Sequence, residues 1–156
     1  PKHVKQLVEE NHLRWDSLGE FLALAASLED LGIKRDDNKI KVVAQALDTA
    51  TGKLLETGKS PSPKTGELDN RGSQFYLALY WAQELAAQTE EPELQSRFAT
   101  LAKTLADNEE AIVKELIEVQ GQPVEIGGYY MPDMDKMNKV MRPCEQLNQA
   151  LSAMLQ

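Results

Sequence analysis

The amino-acid sequence predicts a mainly α protein, an array of about six or seven helices interrupted by one or two irregular loops. Three observations carry that reading. Apolar residues recur at steps of three and four through most of the chain, the period of one helix face. Helix-start and helix-stop residues stand at the ends of these runs. Alternation with period two shows only briefly, at Val124 and Ile126, too short for a sheet without a visible partner.

Ser17 followed by Glu20 has capping-box spacing, and it opens a helix with Leu18, Phe21, Leu22, Ala25, Leu28 and Leu31 on one stripe. Gly32 then supplies the left-handed residue that commonly follows a helix end. The next helix begins near Asp37 or Asn38, with Ile40, Val43, Ala44, Leu47, Thr51, Leu54 and Leu55 in register and Gly58 beyond it. "GKSPSPKTGELD" (Gly58 to Asp69) carries two prolines and two glycines, so helix cannot run through it. A third helix covers Arg71 to Gln88, with Asp69 or Asn70 as its cap. Its aromatics, Phe75, Tyr76, Tyr80 and Trp81, surround the helix instead of lying on one side, as a helix buried on several sides requires.

Pro92 suits the first turn of a fourth helix, whose buried side is Leu94, Phe98, Leu101, Ala102 and Leu105. Asp107 with Glu110 recaps the chain for a fifth helix through Ile112, Leu116 and Val119, ending at Gly121; one bent helix over both is the alternative. "QPVEIGGYYMPD" breaks the pattern as a short extended segment. Two last helices follow, Asp133 to Met141 and Pro143 to Leu155, with Met131, Met134, Met137 and Met141 read as core filling.

The bulk numbers narrow the function. A chain of 156 residues suits one domain and buries a core without disulfides or a structural metal. No apolar run approaches the ~20 residues of a membrane span, and Pro1 to Asn11 is an amphipathic polar stretch without the apolar centre of a secretory signal. Cys144 is the one cysteine, which excludes an internal disulfide and points to the reducing cytoplasm. A net charge of −8 without a basic stripe argues against nucleic acid and anionic membrane as partners. Most of the acidic excess lies between Glu84 and Glu118 and reads as a solvated helix face.

No catalytic motif stands complete, and no catalytic residue is assigned. His3 and His12 lack Cys or carboxylate partners at ligand spacing, so no metal site is assigned either. Asp133-x-Asp135 reads as a helix cap before a cation site. Cys144 follows Pro143 at a helix start, where the dipole would favour thiolate, but no base is visible and a structural role is the plainer reading. Two clusters rise above this background. Lys2, His3, Lys5, His12 and Arg14 gather the cationic nitrogen of the first residues, and Trp15 and Asp16 follow directly. Terminal phosphate needs cationic fork donors, adenine a flat apolar surface and ribose a polar acceptor; ordinary surface basics are the competing reading. The polar lip Glu67, Asp69, Asn70, Arg71, Gly72 and Ser73 is the second cluster, a helix cap that could also form a ligand edge or an interdomain contact.

"RWDSLGEFLALA" (Arg14 to Ala25), "GELDNRGSQFYLALYWAQELAAQ" (Gly66 to Gln88), "GQPVEIGGYYMPD" (Gly121 to Asp133) and "VMRP" (Val140 to Pro143) closely resemble the C-terminal part of the bacterial monomeric NADP-dependent isocitrate dehydrogenases. The resemblance covers essentially the whole chain and implies that residues 1–156 form a single helical unit, part of a larger domain that it shares with the N-terminal portion of a longer, monomeric enzyme. It implies the parent's reaction, oxidative decarboxylation of isocitrate to 2-oxoglutarate with NADP reduction and a Mg or Mn ion. The isocitrate contacts and metal carboxylates of the family lie upstream, so the piece alone is expected to be inactive. It also implies that His3 and Arg14 match the NADP 2′-phosphate residues, with Lys2 and Trp15 beside them and Asp16 near the adenosine.

One departure stands out. The family pattern implied by the resemblance reads Ser-Pro-Ser-Arg-Lys where this chain has Ser60-Pro61-Ser62-Pro63-Lys64, and that Arg also approaches the 2′-phosphate. Its loss implies a weaker NADP preference by roughly the 1.5 to 3 kcal/mol of a charged hydrogen bond, unless Lys59 or Lys64 substitutes. Cut from its parent, the unit is expected to expose apolar surface and to self-associate. The alternative function is a helical scaffold or interaction module without a ligand.

Overall fold

The structure, a computed structural model, describes residues 2–155. Eight α-helices make up the described residues, and no strand forms among them: α1 (Lys2–Glu10), α2 (Leu18–Arg35), α3 (Asn38–Glu56), α4 (Asn70–Ala87), α5 (Pro92–Asp107), α6 (Glu109–Glu118), α7 (Met134–Met141) and α8 (Glu145–Ser152), with a final 3-10 turn at Ala153–Leu155. The helical class is as the periodicity indicates. α1 is the helix that the sequence reading left out, a short polar element with Leu7 as its one buried residue.

α4 is the centre. Eleven of its residues are buried, among them Phe75, Tyr76, Leu77, Leu79, Tyr80 and Leu85 on several sides of the helix, which explains the aromatics all round it. α3 and α5 flank it, α6 and α8 pack beyond, and α2 pairs with α3. The main core joins Leu47, Ala50 and Leu54 of α3 to α4, to Leu101 and Leu105 of α5 and to Ile112 and Leu116 of α6. α5 and α6 are two helices, separated by Asn108.

Several local expectations are corrected. Ser17 precedes α2 but makes no side-chain cap bond; its hydroxyl accepts from Asn70 Nδ2 at 2.8 Å, and Glu20 accepts from the Trp15 indole at 3.0 Å. Asp16 Oδ1 takes over the capping, accepting from Leu18 N at 3.0 Å. Gly32 does not end α2. The helix runs on to Arg35, and Asp36 adopts the left-handed conformation, φ 47°. Gly32 instead allows close packing where α2 and α3 meet: a Cβ there would stand 2.8 Å from Lys41 Cγ and 3.0 Å from Lys41 N.

Leu22 and Leu55, placed on the buried stripes, are exposed. Asp107 is the last residue of α5 and pairs with Lys103, so it does not cap α6. Met131 and Met134 are exposed instead of filling a core. The extended segment after Gly121 is a loop pinned by backbone bonds to α1, with Gly121 N and Val124 N donating to Glu10 O and Val8 O at 2.7 and 2.8 Å. These carbonyls are among those that a helix C-terminus leaves without an internal partner.

The head of α4 holds the deepest polar contacts. Asp69 caps the helix through Arg71 N and Gly72 N, and Asp69 Oδ2 pairs with Arg71 Nη2 at 2.7 Å, both side chains about as buried as the core, at 1% and 2% exposure. All five guanidinium N–H groups are used: Nε and Nη2 on Asp69 Oδ2, Nη1 on Asn11 Oδ1 and Val140 O, and Nη2 on Asn11 O. Removing one partner of a buried pair leaves an uncompensated charge, at about 3–5 kcal/mol. Arg71→Met is therefore expected to lower stability by about that amount in urea titration, with Arg71→Lys recovering only part because an ammonium lacks the five-donor fork; a loss under about 1 kcal/mol for Arg71→Met would contradict the central role of the pair.

Candidate functional site

The head of α4 also positions the stretch that carries the candidate residues. Leu13 N donates to Asp69 Oδ2 at 3.0 Å, Asn70 N donates to Leu13 O at 2.7 Å, and Asn70 Nδ2 donates to Trp15 O at 2.9 Å. The backbone on both sides of Arg14 is thus fixed to one buried helix terminus. The polar lip was read from sequence as a cap or a ligand edge; inside this chain it caps α4 and clamps residues 11–17. Nothing in the spacing of residues 69–71 signals the second role, because its partners lie more than fifty positions away.

Arg14, His3 and Trp15 come together. Arg14 Nε donates to His3 Nδ1 at 3.2 Å, which makes Nδ1 an acceptor and puts the proton of the neutral ring on Nε2. The His3 ring meets Trp15 edge to face, with centroids 5.6 Å apart and planes at 73°. Among the described residues, neither terminal amino group of Arg14, nor His3 Nε2, nor the Lys2 ammonium has a hydrogen-bond or ion-pair partner. Trp15 is 46% exposed although its indole N–H is engaged by Glu20. Asp16 is exposed beside it, one carboxylate oxygen spent on Leu18 N. The group offers cationic fork donors next to an uncovered aromatic surface.

His12 does not join this group. It is fully buried, its Nδ1 2.7 Å from Gln120 Oε1 and its Nε2 2.7 Å from Ser62 O. Through these contacts the Gly58 to Asp69 segment is an ordered strap. Gln6 Nε2 donates to Pro63 O at 3.1 Å, Thr65 Oγ1 to Glu10 Oε2 at 3.0 Å, and Ser62 N to Leu68 O at 2.7 Å. Gln6 is three and four positions along α1 from His3 and Lys2, the spacing of neighbours on one helix face. The strap therefore brings Pro63 to the helix that bears the candidate cations. Lys59 is committed elsewhere, its ammonium 4.6 Å from the centre of the Tyr76 ring, whereas Lys64 is exposed and its ammonium has no partner among the described residues.

The remaining reactive groups are structural. Cys144 is buried at the head of α8, its thiol donating to Glu115 Oε2 at 3.2 Å. Burial, with that acidic partner, pushes the thiol above its ordinary range, so the dipole does not yield a thiolate. Burial likewise raises the Tyr76 phenol, which donates to Glu109 Oε2 at 2.9 Å. Asp133 caps α7 through Lys136 N at 2.9 Å. A groove of about 460 Å³ between α4 and α8 is lined by Arg71, Phe75, Cys144 and Leu147, with the Arg71 donors already spent. Among the described residues no three of the His, Cys, Asp and Glu side chains converge as metal ligands.

Comparison with known proteins adds a family to this geometry. Residues 1–152 match the family model described as monomeric isocitrate dehydrogenase. The protein named isocitrate dehydrogenase (NADP) 2 of Mycobacterium tuberculosis is 66% identical over 153 residues, 98% of this chain and 20% of that protein. Isocitrate dehydrogenase (NADP) of Azotobacter vinelandii is 60% identical over 152 residues, 97% of this chain and 20% of its own length. That of Corynebacterium efficiens is 53% identical over 154 residues, 99% and 21%. The chain spans about a fifth of the length of these relatives. With the match running through nearly every described helix, the chain belongs to the monomeric isocitrate dehydrogenase family.

Proposed function

We propose that residues 1–156 are the cofactor-side helical unit, C-terminal in a longer cytoplasmic enzyme that oxidatively decarboxylates isocitrate to 2-oxoglutarate and reduces NADP. The observation that carries the reading is Arg14: its backbone is clamped on both sides, its Nε is spent on His3, and its two terminal amino groups are uncommitted beside an exposed tryptophan. Arg14 and His3, with Lys2, hold the 2′-phosphate by charge-assisted hydrogen bonds. Trp15 offers its face to the adenine, and the free oxygen of Asp16 serves the adenosine side. NADP supplies the hydride acceptor; this chain binds and orients its adenosine half and carries no catalytic residue. A Mg or Mn ion and the isocitrate contacts are assigned to the rest of the parent, as the family resemblance implies, and no step through a metal is assigned to these residues. No described helix is long and apolar enough to cross a membrane.

A scaffold without ligand is the rival, favoured by the intrachain partners of Asp16 and of the Trp15 indole. Titrating the chain with NADP and with NAD, followed by tryptophan fluorescence, separates the two. NADP is expected to give a saturable change that NAD gives only weakly, and Arg14→Ala to weaken it roughly ten- to a hundredfold, one charged hydrogen bond. Equal response to both dinucleotides, or none, removes the cofactor assignment.

Pro63 carries the second expectation. It stands exposed on the strap beside α1 and brings no charge, and of the two nearby lysines only Lys64 is free to compensate. In the full-length parent, Pro63→Arg is expected to raise the preference for NADP over NAD by about tenfold or more, and an unchanged ratio would show that position 63 does not read the 2′-phosphate.

The same reading makes the surface incomplete. Tyr130 and Met131 are each 88% exposed at the tip of a loop whose base admits only glycine at 127: φ is +88°, and a Cβ would lie 2.6 Å from Asp133 Cβ. Apolar tips held out by a fixed base, with Met134 exposed next to them, are expected to drive self-association once the rest of the parent is missing. Sedimentation of the isolated chain is expected to show concentration-dependent dimers or larger species that Tyr130→Ser with Met131→Ser disperses; a strict monomer at high concentration would refute this.

A further inference from the structure

We infer that His12 is a buried imidazolium, both of whose ring N–H groups donate, and that this proton fastens the Ser60-to-Glu67 strap to the body of the protein. His12 Nε2 lies 2.7 Å from Ser62 O, a carbonyl that can only accept. His12 Nδ1 lies 2.7 Å from Gln120 Oε1, and the amide of Gln120 has no freedom to turn: Gly66 N donates to its oxygen at 2.8 Å, and its nitrogen donates to Glu67 O at 2.9 Å. Turning the amide over would set donor against donor at Gly66 and acceptor against acceptor at Glu67. Oxygen therefore faces both ring nitrogens, while a neutral imidazole owns a single N–H. In the neutral ring one lone pair of the fully buried imidazole would face an oxygen with no proton between them.

The charged groups on the surrounding elements leave room for the cation. Asp69 and Arg71 at the head of α4 cancel each other. Glu10 of α1 accepts from Thr65 and Glu67 of the strap from Ser62, placing carboxylates in the same network; Glu9 and Glu118 are exposed at the ends of α1 and α6, Lys59 immediately precedes the strap and Lys64 lies in it. The ring holds Ser62 and, through Gln120, Gly66 and Glu67, so removing its N–H donors frees the strap from the body of the protein. This clamp does not rest on the cofactor reading, and loss of NADP binding would not touch it.

Nitrogen-15 spectra of the histidine rings in the folded 156-residue chain test the proton count, and amide exchange tests the strap. Two N–H groups are expected on His12 at neutral pH. His12→Phe, whose ring donates nothing, is expected to lower protection at the Ser62 and Gly66 amides by about tenfold, the worth of one hydrogen bond, with α4 unchanged. A single N–H on His12 overturns the inference, as does strap protection that His12→Phe leaves unchanged.

Discussion

The Asp69–Arg71 pair is closed to water, and a charge taken out of water must find a replacement for its hydration shell within the protein. Arg71 does so with all five N–H groups, and their acceptors come from three separate places: the residue that caps its own helix, the turn after α1, and the last turn of α7. A demand that local is met only if all three arrive together. The pair thus couples the first and last parts of the chain to the central helix, and it does so where the apolar core is thinnest, since α1 buries a single leucine and α7 buries no residue.

The candidate site inherits its order from the same point. Arg14 sits between two residues whose backbones are bonded to Asp69 and Asn70, so a flexible cationic side chain is mounted on a rigid base with one of its nitrogens already committed to His3. Ordering cost met during folding is not charged again when a ligand arrives. The strap carrying Pro63 is ordered in the same way, by α1 and by the turn after α6, and two buried or half-buried polar side chains, His12 and Gln120, account for most of its attachments. A prolyl residue at its tip keeps the strap stiff and uncharged at a place where the family resemblance calls for a cation.

Much of the fold was legible because helices are written locally. Periods of three and four located α2 to α6, the proline at the start of α5 and the carboxylates before α3 and α4 marked their heads, and the ring of aromatics identified α4 as central. α1 was passed over although its nine residues are amphipathic, because they bury a single leucine and no acidic residue marks the first turn. The boundaries misread, Ser17 and Gly32, share a cause. Each residue has a local use that its type makes plausible and a distant partner, Asn70 or Lys41, that the structure makes decisive.

By itself, then, the sequence determined the helical class, the central helix, the irregular strap and, through its motifs, the family and the cluster of Lys2, His3, Arg14, Trp15 and Asp16. Tertiary structure alone decided which of the basic side chains in this stretch stay at the surface and which is enclosed. Lys2, His3, Arg14, Trp15 and Asp16 remain at the surface, whereas His12, an equally plausible cation in the sequence, is enclosed and spent on the strap. The physical reason is that composition and period report the nearest few residues along the chain, while burial and hydrogen-bond partnership are set by groups fifty or a hundred positions away.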